Sequence, residues 1–182
     1  MFPNVFSLFE DSTLESPLSA CLCAPPMKGR AYYPDGFEIN YKTAYSTVKD
    51  LQATYTNYGY GNNHRVAVLL ENRPEFHLHW LALNGLGASI VPINPDYRED
   101  EIIYLLNHSE SSLLITIPER FSDLGEITKR CEFEFPVIDV TNFHETLQPP
   151  RTKATKMQEE LDSEAALLYT SGTTGKPKGC IL

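Results

Sequence analysis

No apolar stretch in this sequence approaches the roughly 18 to 20 residues needed to span a bilayer. Its opening, MFPNVFSLFEDS, lacks the basic start and apolar run of a secretion signal, so a cytoplasmic location is the expectation. A basic cluster is missing too: 15 Lys and Arg stand against 24 Asp and Glu, a net charge of −9. That balance disfavours non-specific attraction to nucleic acid or anionic lipid and requires any anionic ligand to find a focused site. The four cysteines, Cys21, Cys23, Cys131 and Cys180, form no CxxC pair at zinc-ligand spacing and read as reduced thiols. His77 and His79, two apart on a helix, point to different faces, and no metal site is expected. Internal repeats and low-complexity tracts are also lacking.

What is present fits one globular domain. The chain has 182 residues, 42% hydrophobic and 21% charged, and a chain of this size buries roughly 70% of its unfolded surface. Residues 1–30 are broken by Pro3, Pro17, Pro25, Pro26 and Gly29 and read as an irregular arm, with 31–182 as the domain proper. AYYPDGFEINY suggests a hairpin turning at Asp35-Gly36.

Beyond it, periodicity alternates between strand and helix. Ala44, Val48, Leu51, Tyr55 and Tyr58 share one helical face, ended by Gly59 and Gly61. Apolar runs at 65–70, 89–93, 112–117 and 136–140 have strand length. Between them lie a helix opening at Pro74, an acid-led helix REDEIIYLLNHS, and a third helix with Phe121, Leu124, Ile127 and Cys131 on one face. Strands apolar throughout and separated by helices predict an α/β fold, a parallel sheet with helices on both faces. In ENRPEF, Asn72 is placed to cap the helix, with Arg73 and Glu75 solvated at its mouth. Phe76 and Trp80, four apart, read as core, and Pro92 and Pro95 as shaping a strand exit.

The informative segment is the last eighteen residues, where AALLYT runs into SGTTGKPKG and then CIL. Gly172, Gly175 and Gly179 let backbone approach a ligand closely, and consecutive N–H groups can form an anion-binding nest. Thr170, Ser171, Thr173 and Thr174 add hydroxyls, while Lys176 and Lys178 add charge, which makes phosphate oxygens the natural guest. A Walker A loop is excluded, because counting from Gly172 puts Pro177 where its second glycine belongs.

YTSGTTGKPKG, residues 169–179, resembles the phosphate-binding signature of the adenylate-forming superfamily: acyl-CoA synthetases, luciferases and peptide-synthetase adenylation domains. HRVAVLLENRPEF (64–76), LNGLGASIVPINP (83–95) and YLLNHSESSLLIT (104–116) resemble the same family in order and spacing, closest in look to acyl-CoA ligases. The resemblance implies a loop over Thr170–Gly179 that wraps the β- and γ-phosphates of ATP, with Mg2+ carried by the nucleotide. It implies attack of a carboxylate on the α-phosphate, release of pyrophosphate, and transfer of the acyl group to coenzyme A. Lys178 is the first choice for neutralising phosphate charge.

Family members are several times longer. The resemblance therefore implies an N-terminal fragment of the large domain, without a complete catalytic set and inactive alone. Its last strand, AALLYT, would pair with strands the chain does not contain, leaving apolar edges open to aggregation or chaperone contact. The alternatives are a non-catalytic short product that binds nucleotide or protein, and a fragment of a peptide-synthetase adenylation domain.

Overall fold

The computed structural model describes residues 4–156, 164–170 and 177–182. The arm is not irregular: it opens with helix α1 (Val5–Glu15), whose first turn is capped by the Asn4 carboxamide accepting from the Ser7 amide at 2.8 Å. Its prolines flank the helix instead of breaking it, and Phe6, Phe9 and Thr13 turn one face inward. Strand β1 (Ala20–Ala24) then pairs antiparallel with β2 (Phe37–Asn40).

The expected tight hairpin turn at Asp35-Gly36 is corrected: residues 25–36 join β1 to β2, Gly36 at φ of 96° leads into β2, and no strand forms at residues 31–33. Those residues belong to a wide loop. Met27 donates to the Pro34 carbonyl at 3.0 Å, and the Arg30 guanidinium donates to the carbonyls of Tyr32 and Tyr33 at 2.7 and 2.5 Å. Side chain–backbone bonds of this kind give the chain an alternative to a ladder.

Helix α2 (Tyr41–Tyr58) ends at Gly59, whose φ of 93° closes the left-handed cap. There follow β3 (Arg65–Leu69), α3 (Pro74–Gly85), β4 (Ser89–Pro92), α4 (Glu99–Ser109), β5 (Leu113–Thr116), α5 (Pro118–Thr128), β6 (Val137–Asp139) and a short α6 (Phe143–Thr146). The four strands lie parallel in the order β4-β3-β5-β6, with Ala67 opposite Val91 on one side and Leu114 on the other. The expected parallel α/β sheet is thus observed.

Alternate residues of β3 feed two cores. Val66 and Val68 pack with Val48, Tyr55 and Leu83 under α2 and α3, while Ala67 and Leu69 pack with Ile102, Leu105 and Leu124 under α4 and α5. Helices therefore cover both faces. Phe121 departs from its expected core position and is 45% exposed, because α5 turns Leu124, Ile127 and Thr128 inward.

Close packing also decides Gly85. A Cβ there would meet the Phe6 ring at 2.7 Å and collide with the Gln52 amide. Gly85→Ala should destabilise the chain by about 1–3 kcal/mol despite alanine's better helix propensity. Urea unfolding would show this as a lower midpoint at constant slope, and an unchanged or raised midpoint would contradict it.

Strand β7 (Leu167–Thr170) pairs antiparallel with β8 (Lys178–Ile181), Thr170 lying opposite Lys178 and Tyr169 opposite Gly179. Its root adds to the parallel sheet through a bridge between Ala166 and Ile90. The expectation that AALLYT pairs outside the chain is corrected: β8 of the same chain pairs with it, and its root bridges to β4. Leu168, Ile181 and Leu182 are nonetheless exposed.

Candidate functional site

The carboxyl ends of β3 and β4 and the last residues of β7 converge on one cleft of about 620 Å³. Crevices at the carboxyl ends of parallel strands are where open α/β sheets take ligands. Two turns form its walls. After β3, Glu71 adopts φ of 54° before Asn72 enters the cleft, and after β4 the Asn94 side chain accepts from the Asp96 amide at 3.0 Å.

Of the nominated phosphate-loop residues, Thr170 stands at the cleft rim and Lys178 faces it across the hairpin, both exposed. Among the described residues, Lys178 has no carboxylate partner, so its ammonium is available to an anion. Ser171, Gly172, Thr173, Thr174, Gly175 and Lys176 lie outside the described residues. Gly179 serves its own chain: a Cβ there would meet Leu167 Cδ1 at 3.0 Å and the Tyr169 ring at 3.5 Å. Its small size lets two side chains cross the hairpin.

Arg73 corrects the sequence-based expectation of a solvated charge. It is 8% exposed, its guanidinium carbon lies 4.8 Å from the centre of the Tyr32 ring, and its Nη2 reaches the Glu119 carboxylate at 3.4 Å. The cap position of α3 is Arg73 itself, and Asn72 makes no cap. Glu75 is not free either, since the Tyr33 hydroxyl donates to it at 2.5 Å. Burial first, then that carboxylate, pushes the Tyr33 phenol up to about 12. These contacts fasten the N-terminal loop over the β3–α3 turn. Phe76 and Trp80 are part-buried against the core, as expected.

A second, polar cleft of about 450 Å³ lies at the opposite, amino-terminal end of the sheet, beside His64, Arg65 and Glu164. Arg65 grips both Glu164 oxygens at 2.8 and 2.7 Å. Burial opposes ionisation of Glu164, but the guanidinium outweighs it and holds the carboxyl below its ordinary range. With its charges already paired, this cleft offers an anion little. Among the described residues no group of three His, Cys, Asp or Glu is placed to hold a metal, and no helix is long and apolar enough to cross a membrane.

A parallel sheet with helices on both faces and a cleft at the carboxyl ends of its strands defines an α/β fold of the kind that takes ligands at that edge. More particularly, residues 23–182 match the model of the AMP-binding enzyme family, and the chain belongs to that family. Among curated relatives, the 2-succinylbenzoate–CoA ligase of Bacillus mycoides is 35% identical over 129 residues, covering 70% of this chain and 24% of its own length. The crotonobetaine/carnitine–CoA ligase of Escherichia coli O1:K1 is 32% identical over 130 residues, 65% of this chain and 25% of that protein. The dimodular nonribosomal peptide synthase of Bacillus subtilis is 28% identical over 148 residues, 81% of this chain and 6% of that protein.

The N-terminal domain of FACL13 from Mycobacterium tuberculosis superposes with a TM-score of 0.77 at 20% identity, over 98% of this chain and 43% of that one. The O-succinylbenzoate coenzyme A synthetase of Bacillus subtilis in complex with AMP gives 0.71 at 23%, over 97% and 41%. Both show the shared fold. This chain spans a quarter or less of the curated relatives named above.

Proposed function

We propose that this chain is the N-terminal part of the large domain of an ATP-dependent acyl-CoA synthetase, and that Thr170–Gly179 grip the phosphates of ATP. The register of β7 with β8 carries the reading, because it sets Thr170 and Lys178 opposite each other beside a cleft at the carboxyl edge of the sheet. Mg2+ would arrive with the nucleotide, and a carboxylic acid and coenzyme A would be the other substrates of the whole enzyme. In that reaction the carboxylate displaces pyrophosphate from the α-phosphate, and the acyl group then passes to the thiol. Donors fixed around the phosphates stabilise charge that grows as pyrophosphate leaves. The 182-residue chain by itself does not catalyse either step.

A peptide-synthetase adenylation domain is the second reading, favoured by the longer match to the Bacillus subtilis synthase. The two share the phosphate grip and differ in the acceptor thiol. On either reading Lys178→Ala should weaken binding of magnesium tripolyphosphate to this chain by about ten-fold or more, the effect of one charge-assisted hydrogen bond. Lys129→Ala, on the exposed face of α5's end, should leave it unchanged. Calorimetry giving equal affinities for both variants would refute the assignment.

A further inference from the structure

We propose that Tyr169 and His108 form a latch that positions Thr170 and Lys178 for phosphate binding, an inference that rests on the phosphate-grip reading. Tyr169 immediately precedes Thr170, and its cross-strand partner Gly179 immediately follows Lys178. Its ring therefore lies across the distal half of the hairpin, over the space that the missing Cβ of Gly179 leaves open, with 3.5 Å between that Cβ position and the ring. An aromatic residue opposite a strand glycine covers backbone that would otherwise be unprotected.

The far end of the ring is anchored to a different layer of the fold. The Tyr169 hydroxyl and His108 Nδ1 are 2.8 Å apart, and the two rings meet edge to face at 5.7 Å and 82°. His108 sits in the last turn of α4 and is itself packed on Tyr104 at 5.4 Å. Burial pushes the Tyr169 phenol up to about 12 against the lowering effect of the Arg65 charge, so the hydroxyl keeps its proton at neutral pH. The hairpin's root joins the main sheet at a backbone bridge between Ala166 and Ile90, and Leu167 is buried in the core between the sheet and α4 and α5. A two-stranded ribbon is marginally stable on its own, and beyond Leu167 the Tyr169–His108 contact ties its distal half to α4.

Tyr169 and His108 are positioning residues. Removing their bond should let the rails that carry Thr170 and Lys178 open more often without unfolding the core. Tyr169→Phe keeps the ring and removes the bond, and should speed exchange of the Lys178 amide, which is paired with Thr170 across the hairpin, and weaken magnesium tripolyphosphate binding, each by about five-fold. The thermal midpoint of the 182-residue chain should stay that of the unmodified protein. His108→Ala should match Tyr169→Phe, the double variant should be no worse than either single one, and His108→Gln should recover part of the loss. Exchange and affinity unchanged in Tyr169→Phe, or losses that multiply in the double variant, would overturn the latch. If the unmodified chain fails to bind tripolyphosphate, the phosphate reading falls and the positioning role with it. Lys178 exchange slower in the unmodified chain than in Tyr169→Phe would then survive only as hairpin packing.

Discussion

Given ATP, magnesium and any carboxylic acid, the 182-residue chain alone should exchange no labelled pyrophosphate into ATP and accumulate no acyl-adenylate. On the proposed reading its described residues contribute the two strands that flank the phosphate loop, beside a cleft at the carboxyl edge of the sheet. Alignment of reacting groups accounts for roughly 7–11 kcal/mol of such a barrier, and a phosphate grip by itself does not hold a carboxylate in line with the α-phosphate. Loss should therefore be complete on the assay's scale, not partial. Robust, acid-dependent exchange by this chain would show that the catalytic groups lie within it and that the proposed division of the site is wrong.

Acid should destabilise the fold through His79. Its Nδ1 lies 2.9 Å from the Tyr55 hydroxyl, its ring packs against Phe143 at 4.8 Å, and the residue is buried between α2, α3 and α6. Burial, and secondarily the charge of His144, pulls its pKa down to about 3. The unfolded chain takes up that proton near pH 6.5, whereas the folded chain refuses it until much lower pH. The folded state thus binds fewer protons, and this contribution is fully present above pH 6.5 and lost as pH falls toward 3. Between pH 7 and 5 the loss from this one group is about 2 kcal/mol. His79→Gln should lower stability at pH 7 yet remove that part of the acid dependence. Parallel pH–stability curves for the two proteins would show that His79 takes up its proton as readily in the folded chain as in the unfolded one.

The sheet was legible because both its signals are local. A continuous apolar run such as RVAVLL reports a strand buried on two faces, and the Pro74 and Glu99–Glu101 starts mark helices that the structure keeps. The amino-terminal arm was misread for the opposite reason. Its prolines look like breakers, but the helix fits between Pro3 and Pro17, and what holds it is distant: the Phe6 amide donates to the Asn84 carboxamide at 2.9 Å. Arg73 shows the same limit. Nothing in ENRPEF announces that Tyr32, some forty residues earlier, will fold over it, so Arg73→Ala is a packing mutation and a poor charge control.

The candidate site divides along similar lines. Thr170 and Lys178 were legible as a motif, because glycine, hydroxyl and lysine must occur at fixed spacing to wrap a phosphate. His108 was not, since a histidine late in a helix carries no spacing signal, and only the folded hairpin brings it to Tyr169. Gly179 was legible as necessary but for a different cause, its space being taken by Tyr169 and Leu167 of the same hairpin.

The phosphate grip is tested most directly by following the backbone amides of Thr170, Lys178 and Gly179 by nuclear magnetic resonance. The 182-residue chain would be titrated in parallel with magnesium tripolyphosphate, magnesium ATP and adenosine. Tripolyphosphate and ATP should shift those three amides along the same direction, and adenosine should leave them in place. Shifts produced by adenosine while tripolyphosphate has no effect would contradict the account, placing the base where the phosphates are assigned.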